Sequence, residues 1–230
     1  MIRIAEIFHS IQGEGILAGT PSVFVRVSGC NLRCRWCDTE YASWQPEGES
    51  RSVAELLREV LGYNCPYVVI TGGEPFLFAE LTELCQSLHQ AGRHITIETA
   101  GTIYREVVCD LLSLSPKLSN STPWYREAGR FAQQHEQRRI QPEVLRRLLA
   151  RYTEVQLKFV IEEPRDLQEV QELLAQLPPV PRERILLMPQ GVTSEELRER
   201  GSWLVEACKQ HGYRYCPRLH IELFGNRRGV

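Results

Sequence analysis

The sequence predicts an α/β protein built from parallel βα units, and three observations carry that prediction. Short apolar runs rich in β-branched residues recur along the chain, as in parallel strands that are covered on both faces. Amphipathic helical patterns lie between these runs, which is typical of parallel sheets with right-handed crossovers. About six units can be counted, fewer than the eight of a closed barrel. An incomplete barrel and a doubly wound open sheet both agree with that count.

The predicted strands are short and largely apolar, and they cover residues 22–27, 67–71, 94–98, 111–115, 155–161 and 184–188. Helices are predicted where apolar residues recur with helical spacing, at 53–61, 142–151, 166–177 and 194–209. The first and last of these helices begin with capping-box signals, Ser52 with Glu55 and Thr193 with Glu196.

No proline- or serine-rich linker divides the 230 residues, which are enough for one large domain. We therefore predict a single domain over residues 1–230. Within it, the polar and weakly patterned segment 119–141 is predicted to be a surface insertion or a lid over a site.

Composition argues against several classes of function. Hydrophobic residues make up 43% and charged residues 24% of the chain, which is ordinary for a globular protein. The net charge of −2 indicates no nucleic-acid surface, and no apolar run is long enough to span a bilayer. The N-terminus shows neither a basic leader nor an apolar core, so no secretory signal is predicted. We expect a cytoplasmic protein whose thiols stay reduced.

Three of the eight cysteines, Cys30, Cys34 and Cys37, form the pattern C-x₃-C-x₂-C. Clustered cysteines in a reducing compartment indicate a metal site or catalysis. Structural zinc sites use four protein ligands, whereas three cysteines on a 4Fe–4S cube would leave one iron open for a substrate or cofactor. The alternative is a zinc site completed by a distant residue such as Cys65 or His9. The dispersed cysteines are predicted to be core or bystander residues, and they are Cys65, Cys85, Cys109, Cys208 and Cys216.

Polar or glycine-rich groups recur directly after the predicted strands. The cysteine loop follows the first strand, and "TGGEP", "ETAGT", "SPK" and "MPQG" follow later ones. Functional sites in α/β barrels and open sheets form at the carboxyl ends of parallel strands. Five strand ends that carry such groups indicate an enzyme.

With these motifs the chain resembles the radical S-adenosylmethionine (SAM) superfamily. The resemblance rests on C-x₃-C-x₂-C with Trp36 before the last cysteine, followed after the second strand by "TGGEP" at 71–75. It implies a modified, partial (β/α)₆ barrel of the TIM type and one 4Fe–4S cluster on three cysteines. It also implies that SAM binds the open iron through its amino and carboxylate groups, and that one-electron cleavage of SAM starts a radical reaction.

Six longer segments resemble one branch of this superfamily, whose substrate is a carboxylated tetrahydropterin. They are "FHSIQGEG", "FVRVSGCNLRCRWCDTEYAS", "VVITGGEP", "IETAGT", "LSPKLSNS" and "LHIELFGNRRGV". This resemblance implies a radical ring contraction of the pterin with loss of ammonia, a Mg²⁺ ion that touches the substrate, and a homodimer. It implies a reductant protein such as a flavodoxin or ferredoxin, and neither nucleic acid nor membrane as a partner.

By the same resemblance, SAM is predicted to contact Trp36, Cys37, Asp38, Gly73, Glu74, Glu98, Ser115, Pro116, Lys117, Met188, Pro189, Gln190 and Gly191. Glycine at 73 lets the backbone approach the methionine ammonium, and Glu74 can accept a hydrogen bond from it. The alternative role of Trp36 is core packing, and the alternative role of Glu98 is a structural hydrogen bond. The alignment of the stretch 188–191 with the family's cofactor-contacting segment can be shifted by one residue.

The predicted substrate contacts are Ile11, Gln12, Gly13, Glu14, Arg26, Thr71 and His220, and the hydroxyl of Thr39 is predicted to bind Mg²⁺. No catalytic side chain is predicted beyond these binding groups. Arg26 suits bidentate pairing with the substrate carboxylate, and a surface arginine is the alternative. Without the resemblance, Thr39 would be interpreted as a turn residue or a helix cap. A lone histidine such as His220 more often has a structural role.

Two rival functions fit part of the pattern. A radical SAM activase that acts on a protein partner would need a surface for a polypeptide, and it often has additional clustered cysteines. A zinc-stabilised binding module would be colourless and contain one zinc, whereas a 4Fe–4S enzyme is brown after anaerobic reconstitution with iron.

Overall fold

A nine-stranded mixed sheet forms the centre of the computed structural model, which describes all residues from 1 to 230. The strands are β1 (Ile2–Ile11), β2 (Pro21–Val27), β3 (Glu49–Arg51), β4 (Tyr67–Gly72), β5 (His94–Thr99), β6 (Leu111–Leu114), β7 (Val155–Ile161), β8 (Ile185–Pro189) and β9 (Arg214–Tyr215). They lie side by side in the order β3-β1-β2-β4-β5-β6-β7-β8-β9. β1 is antiparallel to β2 and β3, and every neighbouring pair from β2 to β9 is parallel.

This strand order decides between the two predicted arrangements. From β2 onward the parallel strands follow one another in chain order, without the reversal that divides a doubly wound sheet. Unbroken chain order is the arrangement of a βα barrel, and here the edge strands β3 and β9 do not pair with each other. The predicted partial barrel is confirmed, as are all six predicted strands to within one residue at each end.

Eight α-helices accompany the strands: α1 (Glu40–Ser43), α2 (Val53–Gly62), α3 (Leu81–Gln90), α4 (Ala132–Arg139), α5 (Pro142–Arg151), α6 (Asp166–Leu174), α7 (Ser194–His211) and α8 (Leu219–Phe224). Both predicted capping boxes are formed, at the start of α2 and of α7. The helix predicted to reach residue 177 ends at Leu174, because Pro178 and Pro179 follow and a residue before proline is disfavoured in the helical conformation.

Strand β1 has no counterpart among the predicted strands, although it forms one side of the site. Ile2 and Ile4 alternate with more exposed residues as in a half-buried strand, but the pairing register shifts between Ile4 and Glu6. A bulge of this kind interrupts the alternation by which a strand is detected. The segment after β1 then crosses to β7, where the Ile16 amide donates to Gln156 Oε1 (2.8 Å).

The two faces of the parallel sheet differ in chemistry. Apolar side chains on one face join the main hydrophobic core, among them Val25, Val27, Ile70, Ile97, Leu157 and Phe159. The alternate residues point to the other face, and they include Arg26, Thr71, Glu98 and Lys158. Because side chains alternate along a strand, each apolar run that builds the core also carries polar groups to the barrel interior. This alternation directs the candidate functional side chains into the barrel interior.

The dispersed cysteines and the segment 119–141 also have defined surroundings. Cys65, Cys85 and Cys208 belong to the main core, as predicted, and Cys109 packs against it. Cys216 is buried in a smaller cluster with Val160, Leu186 and Met188. The segment 119–141 contains α4 and packs against the cysteine loop, where the Arg35 amide donates to Ser121 O (2.8 Å). None of the helices has the length and apolar composition needed to cross a bilayer.

Candidate active site

A cavity of about 390 Å³ opens on the polar face of the sheet. The predicted site residues that line it are Ile11, Gln12, Gly13, Glu14, Arg26, Cys30, Cys34, Trp36, Cys37, Asp38, Thr39, Thr71, Gly73, Glu98, Ser115, Lys117, Met188, Gln190 and His220. Four predicted residues are not on its wall: Glu74, Pro116, Pro189 and Gly191. Segments that are far apart in the sequence therefore converge on one cavity.

The cysteine loop brings three thiols to this cavity. Cys30, Cys34 and Cys37 all line it, and the Trp44 indole donates to Cys34 O (2.9 Å) from behind the loop. Burial raises the pKa of Cys30 to about 12 and raises the pKa of Cys34 as well. A buried thiolate is costly on its own, but a metal stabilises it because a coordinating thiol is deprotonated outright.

This donor set fits an iron–sulfur cluster with one corner free of protein. Three soft sulfur donors reach the cavity, and no fourth cysteine lines it. The two residues considered for a fourth ligand lie elsewhere. The Cys65 thiol donates to Pro21 O (3.2 Å) at the opposite end of β2, and the His9 ring packs near Tyr63 (6.0 Å between centroids). The zinc site that required Cys65 or His9 is therefore not formed.

No three His, Cys, Asp or Glu side chains lie close enough together to share a single metal ion. The three thiols belong to one cavity without converging on one point.

The end of β4 presents backbone to the cysteine loop. Gly72 has φ 117°, which side-chain-bearing residues rarely adopt, and a Cβ on Gly73 would lie 1.9 Å from Gly29 O. The contact is fixed by two hydrogen bonds, from the Gly73 amide to Val27 O (3.0 Å) and from the Glu74 amide to Gly29 O (2.8 Å). The glycines at 72 and 73 therefore allow the loop to pack directly on the sheet.

Glu74 lies behind this turn rather than in the cavity. Its buried carboxylate accepts from Thr99 Oγ1 (2.7 Å), the Ala100 amide (2.9 Å) and the Phe76 amide (3.1 Å). Burial raises the pKa of Glu74 although these three hydrogen bonds favour its charged form. In this conformation Glu74 orders the ends of β4 and β5, and its contact with the methionine ammonium stays a prediction.

Trp36 forms another part of the wall. Its indole donates to Asn120 O (3.1 Å), and Lys117 Nζ lies 5.9 Å from the ring centroid. Lys117 also donates to Ser115 Oγ (2.7 Å). The ring is half-buried, with its N–H satisfied and one face beside a cation. Three predicted cofactor contacts are thus neighbours, although they come from two separate loops.

A network of ion pairs around the buried Lys158 and Arg218 joins the segment after β1 to the cysteine loop, and Asp38 is its exposed end. Glu14 pairs with Lys158 and with Arg218 (3.0 Å), and Arg218 also pairs with Asp38. Lys158 lies 3.8 Å from Glu98. Burial alone would raise the pKa of Glu14, but Lys158 and Arg218 hold it well below its usual range. Both carboxylates beside Arg218 therefore stay charged at neutral pH.

Arg26 points into the cavity and is not a surface residue. Its guanidinium donates to Glu6 Oε1 (2.7 Å) and lies over the Phe8 ring (5.6 Å to the centroid). Glu6 also accepts from the Tyr41 hydroxyl (2.6 Å) and from Arg228 (3.3 Å). Arg26 is thus held at the cavity wall by a carboxylate that has two other partners.

The predicted substrate residues from β4 and from the segment after β1 touch Glu98, the predicted SAM contact on β5. Glu98 accepts from Thr71 Oγ1 (2.7 Å) and from the Gln12 side-chain amide (3.2 Å). His220 packs against Gly13, where any Cβ would lie 1.9 Å from its Nδ1. Glu98 makes the structural hydrogen bonds that were its alternative role, and it also faces the cavity.

Thr39 is not the helix cap that its position suggests. It precedes α1, but its side chain makes no capping hydrogen bond. Its hydroxyl lies 3.7 Å from Cys37 Sγ at the cavity wall, which leaves it able to bind a ligand.

Several lining residues have no counterpart among the predicted ones. They are Phe8, Phe24, Leu32, Tyr41, Ser43, Gly72, Thr99, Ala100, Lys158, Val160, Arg218 and the C-terminal stretch 226–230. Lys158 is the one charged residue in a largely apolar strand, and this was a signal that it faces the interior. Arg218 lies beside the matched segment that begins at Leu219, but nothing local marks its three partners.

Comparison with known proteins agrees with this geometry. Residues 24–120 match the radical SAM superfamily. A 7-carboxy-7-deazaguanine synthase from Rhodopirellula baltica is 46% identical over 229 residues, which cover 100% of this chain and 89% of the relative. A 7-carboxy-7-deazaguanine synthase from Halobacterium salinarum is 45% identical, with 98% of this chain and 91% of the relative covered.

A solved structure is also similar. The crystal structure of QueE from Escherichia coli aligns with a TM-score of 0.69 and 28% identity, and the alignment covers 95% of this chain and 94% of that one. The likeness extends over nearly the full length of both proteins.

Proposed function

We propose that this chain, which belongs to the 7-carboxy-7-deazaguanine synthase family of the radical SAM superfamily, converts 6-carboxy-5,6,7,8-tetrahydropterin to 7-carboxy-7-deazaguanine and ammonia. The reaction is that of a carbon–nitrogen lyase, and its product serves the biosynthesis of queuosine and related 7-deazapurines. The observation that carries the proposal is one cavity lined both by three thiols without a fourth and by the segment 11–14.

The cofactors would occupy the part of the cavity nearest the cysteine loop. We assign the 4Fe–4S cluster to Cys30, Cys34 and Cys37, and SAM to the neighbourhood of Trp36 and Gly73. When bound, the two groups supply the one-electron reductive cleavage that starts the radical reaction. The residues of the chain bind and orient the reactants and exclude water.

The pterin would lie beside Glu14, Gln12 and Thr71, whose oxygens and side-chain amide suit the donors and acceptors of its ring edge. Glu14 is kept charged by Lys158 and Arg218, so it accepts hydrogen bonds from ring N–H groups and does not donate them. Gln12 and Thr71 already donate to Glu98 across the cavity, which holds both side chains in place before the substrate arrives.

Arg26 is the proposed partner of the substrate carboxylate. In this structure Glu6 occupies that role, and it accepts from Tyr41 and Arg228 as well. A substrate carboxylate can pair with the remaining guanidinium N–H groups while Glu6 keeps Nε oriented. Arg26 would thus fix the pterin relative to the cofactor side of the cavity.

Thr39 is the proposed protein ligand of Mg²⁺, and its replacement gives a testable result. Thr39→Ala is expected to raise the Mg²⁺ concentration needed for half-maximal activity by about tenfold, because a hard cation loses its one protein oxygen there. Thr39→Ser keeps the oxygen and should respond like the wild type. Activity measured across a magnesium titration checks this, and identical curves for Thr39→Ala and the wild type would remove Thr39 from the site.

Two partners accompany the proposal. A small one-electron carrier such as a flavodoxin or ferredoxin would reduce the cluster, since no residue of the chain can supply that electron. A homodimer is proposed from the family resemblance. Neither partner changes the assignment of the cavity, which lies within one chain.

An anaerobic assay tests the activity directly. The protein is reconstituted with iron and sulfide and supplied with the carboxypterin, SAM, Mg²⁺ and dithionite. The expected products are 7-carboxy-7-deazaguanine and an equal amount of ammonia. Formation of 5′-deoxyadenosine without the deazaguanine would show a radical SAM enzyme with another substrate.

A further inference from the structure

We infer that Arg228 is a positioning residue for recognition of the substrate carboxylate. Through Glu6 it orients the guanidinium of Arg26, and it thereby sets the preference for a carboxylated pterin over a pterin without that group. Arg228 does not touch the substrate in this assignment. The inference rests on the proposed function, which supplies a substrate with a carboxylate, and neither Glu6 nor Arg228 is among the predicted contacts.

The bulge in β1 brings Glu6 to the same side of the sheet as Arg26. If the register at the start of β1 continued, Ala5 would oppose Arg26 and Glu6 would oppose Val25. Opposite residues of an antiparallel pair share a face, so Glu6 would then point with Val25 into the hydrophobic core. The bulge shifts the register by one residue, and Glu6 opposes Arg26 instead. Re-aiming a side chain beside a site is a known use of bulges.

Glu6 holds only one edge of the Arg26 guanidinium. Its Oε1 accepts from Arg26 Nε (2.7 Å), while the Phe8 ring lies under the guanidinium, 5.6 Å from centroid to Cζ. Phe8 in turn stacks on Phe24, with ring centroids 5.0 Å apart. The two Nη nitrogens of Arg26 have no hydrogen-bond partner within the chain. They form a fork that suits a carboxylate, provided that the guanidinium is kept in one orientation.

Two further donors fix the Glu6 carboxylate. The Tyr41 hydroxyl donates to Oε1 (2.6 Å), the oxygen that also binds Arg26, and Arg228 Nε donates to Oε2 (3.3 Å). The Glu6 side chain is only 12% exposed. Because both oxygens are bound, the carboxylate cannot turn away from Arg26 without losing a charged partner.

Arg228 is itself held by more than one ion pair. Its Nη1 donates to Glu47 Oε2 (2.7 Å), its Nη2 donates to Ala5 O (3.0 Å), and its guanidinium lies over the Tyr41 ring, 4.1 Å from the centroid. Ala5 is the residue that the bulge leaves out of the pairing with β2. Single exposed ion pairs contribute little, but a planar fork that meets three acceptors and a ring is fixed in place.

The charges around Glu6 match a carboxylated ligand. Arg26 and Arg228 share the single negative charge of Glu6, so one positive charge is left for a substrate carboxylate. Glu47, the other acid beside Arg228, is 55% exposed and is screened by water and salt. A pterin without a carboxylate gains nothing from this arrangement, and Arg228 therefore acts on the choice between the two ligands.

The test is equilibrium binding to the reconstituted full chain with SAM present, followed by pterin fluorescence. The probes are 6-carboxypterin and unsubstituted pterin. Arg228→Met is expected to weaken binding of 6-carboxypterin about tenfold and to change binding of pterin less than about twofold. The KM for the carboxylated substrate should rise in parallel while kcat is kept. Arg58→Met, an exposed position on α2 without an ion pair, is the control and should bind both probes like the wild type.

A double variant shows whether Arg228 acts through Arg26. Arg26→Met alone is expected to lose the preference for 6-carboxypterin. Adding Arg228→Met to that variant should then cause no further loss, because residues that act as one unit are not additive. A role of Arg228 in general stability would instead weaken both probes alike and would add to the effect of Arg26→Met.

Three outcomes would overturn the inference: wild-type affinity for 6-carboxypterin in Arg228→Met, an equal loss for both probes, or additive losses in the double variant. The anaerobic assay with dithionite separates these results from the proposed function. If the wild type forms no deazaguanine, the proposed function fails. If the wild type is active and Arg228→Met binds 6-carboxypterin unchanged, only the role of Arg228 is wrong.

Discussion

Cys34→Ala is expected to abolish assembly of the iron–sulfur cluster and all cleavage of SAM while the fold survives. Cys34 lies in a loop outside every strand and helix, so its loss removes a ligand but no core contact between the sheet and the helices. Two remaining cysteines cannot hold a cube that already has an open corner. After anaerobic reconstitution, iron should fall from about four atoms per chain to near zero. Iron analysis and 5′-deoxyadenosine measurement check this.

The matched control is Cys208→Ala, which removes a buried thiol from α7 that belongs to the hydrophobic core. That variant should lose some stability and keep its full iron content. Circular dichroism on both proteins separates misfolding from ligand loss. Retention of SAM cleavage by Cys34→Ala, or loss of iron in Cys208→Ala without unfolding, would show that the cluster ligands are wrongly assigned.

Arg218→Met is expected to remove nearly all product formation and to lower the free energy of unfolding by about 3 kcal/mol, as for a buried ion pair that loses one partner. Arg218 is 6% exposed and joins three segments: it pairs with Glu14 and Asp38 and donates to Gly191 O. Without Arg218, the carboxylates of Glu14 and Asp38 lose the positive charge that they share. The cysteine loop then also loses its link to the segment after β1. Urea unfolding and steady-state kinetics measure the two effects.

The pH dependence of stability gives this prediction a specific sign. The pKa of Glu14 is lowered in the folded protein, so its ionisation contributes stability above its usual pKa of about 4.3, and this is lost as pH falls. Arg218→Met should therefore narrow the stability difference between neutral and acidic pH. Arg198→Met, an exposed position on α7, is the control and should behave like the wild type. If Arg218→Met had the stability and kinetics of the wild type, Arg218 would not be the residue that links the cysteine loop to the segment after β1.

The parallel strands and their functional ends could be predicted because both signals are local. Apolar runs such as 155–161 identify strands by composition alone, and "TGGEP" marks a turn that glycine must form. The three cysteines were recognisable for the same reason, since their ligand role depends on spacing within one loop. Strand β1 escaped detection because its bulge breaks the alternation.

The charge network could not be predicted, because its members meet only in the folded chain. Lys158 lies 144 residues from Glu14, and Arg218 lies 204 residues from it. The position of Glu74 also depended on tertiary structure. The motif suggested a cofactor contact, whereas hydrogen bonds from Thr99 on β5, from Ala100 after it and from Phe76 in the turn after β4 hold the carboxylate behind the wall. Spacing identifies neighbours within a loop, and the fold determines which loops face each other.

The most direct test measures which atoms occupy the open iron. Electron–nuclear double resonance on the reduced, reconstituted protein, with SAM carrying ¹⁵N in its amino group and ¹⁷O in its carboxylate, is expected to show coupling of both nuclei to the cluster. A fully loaded cluster that shows neither coupling, or a protein that binds a single zinc and no iron, would contradict the three-cysteine site on which the proposed function depends.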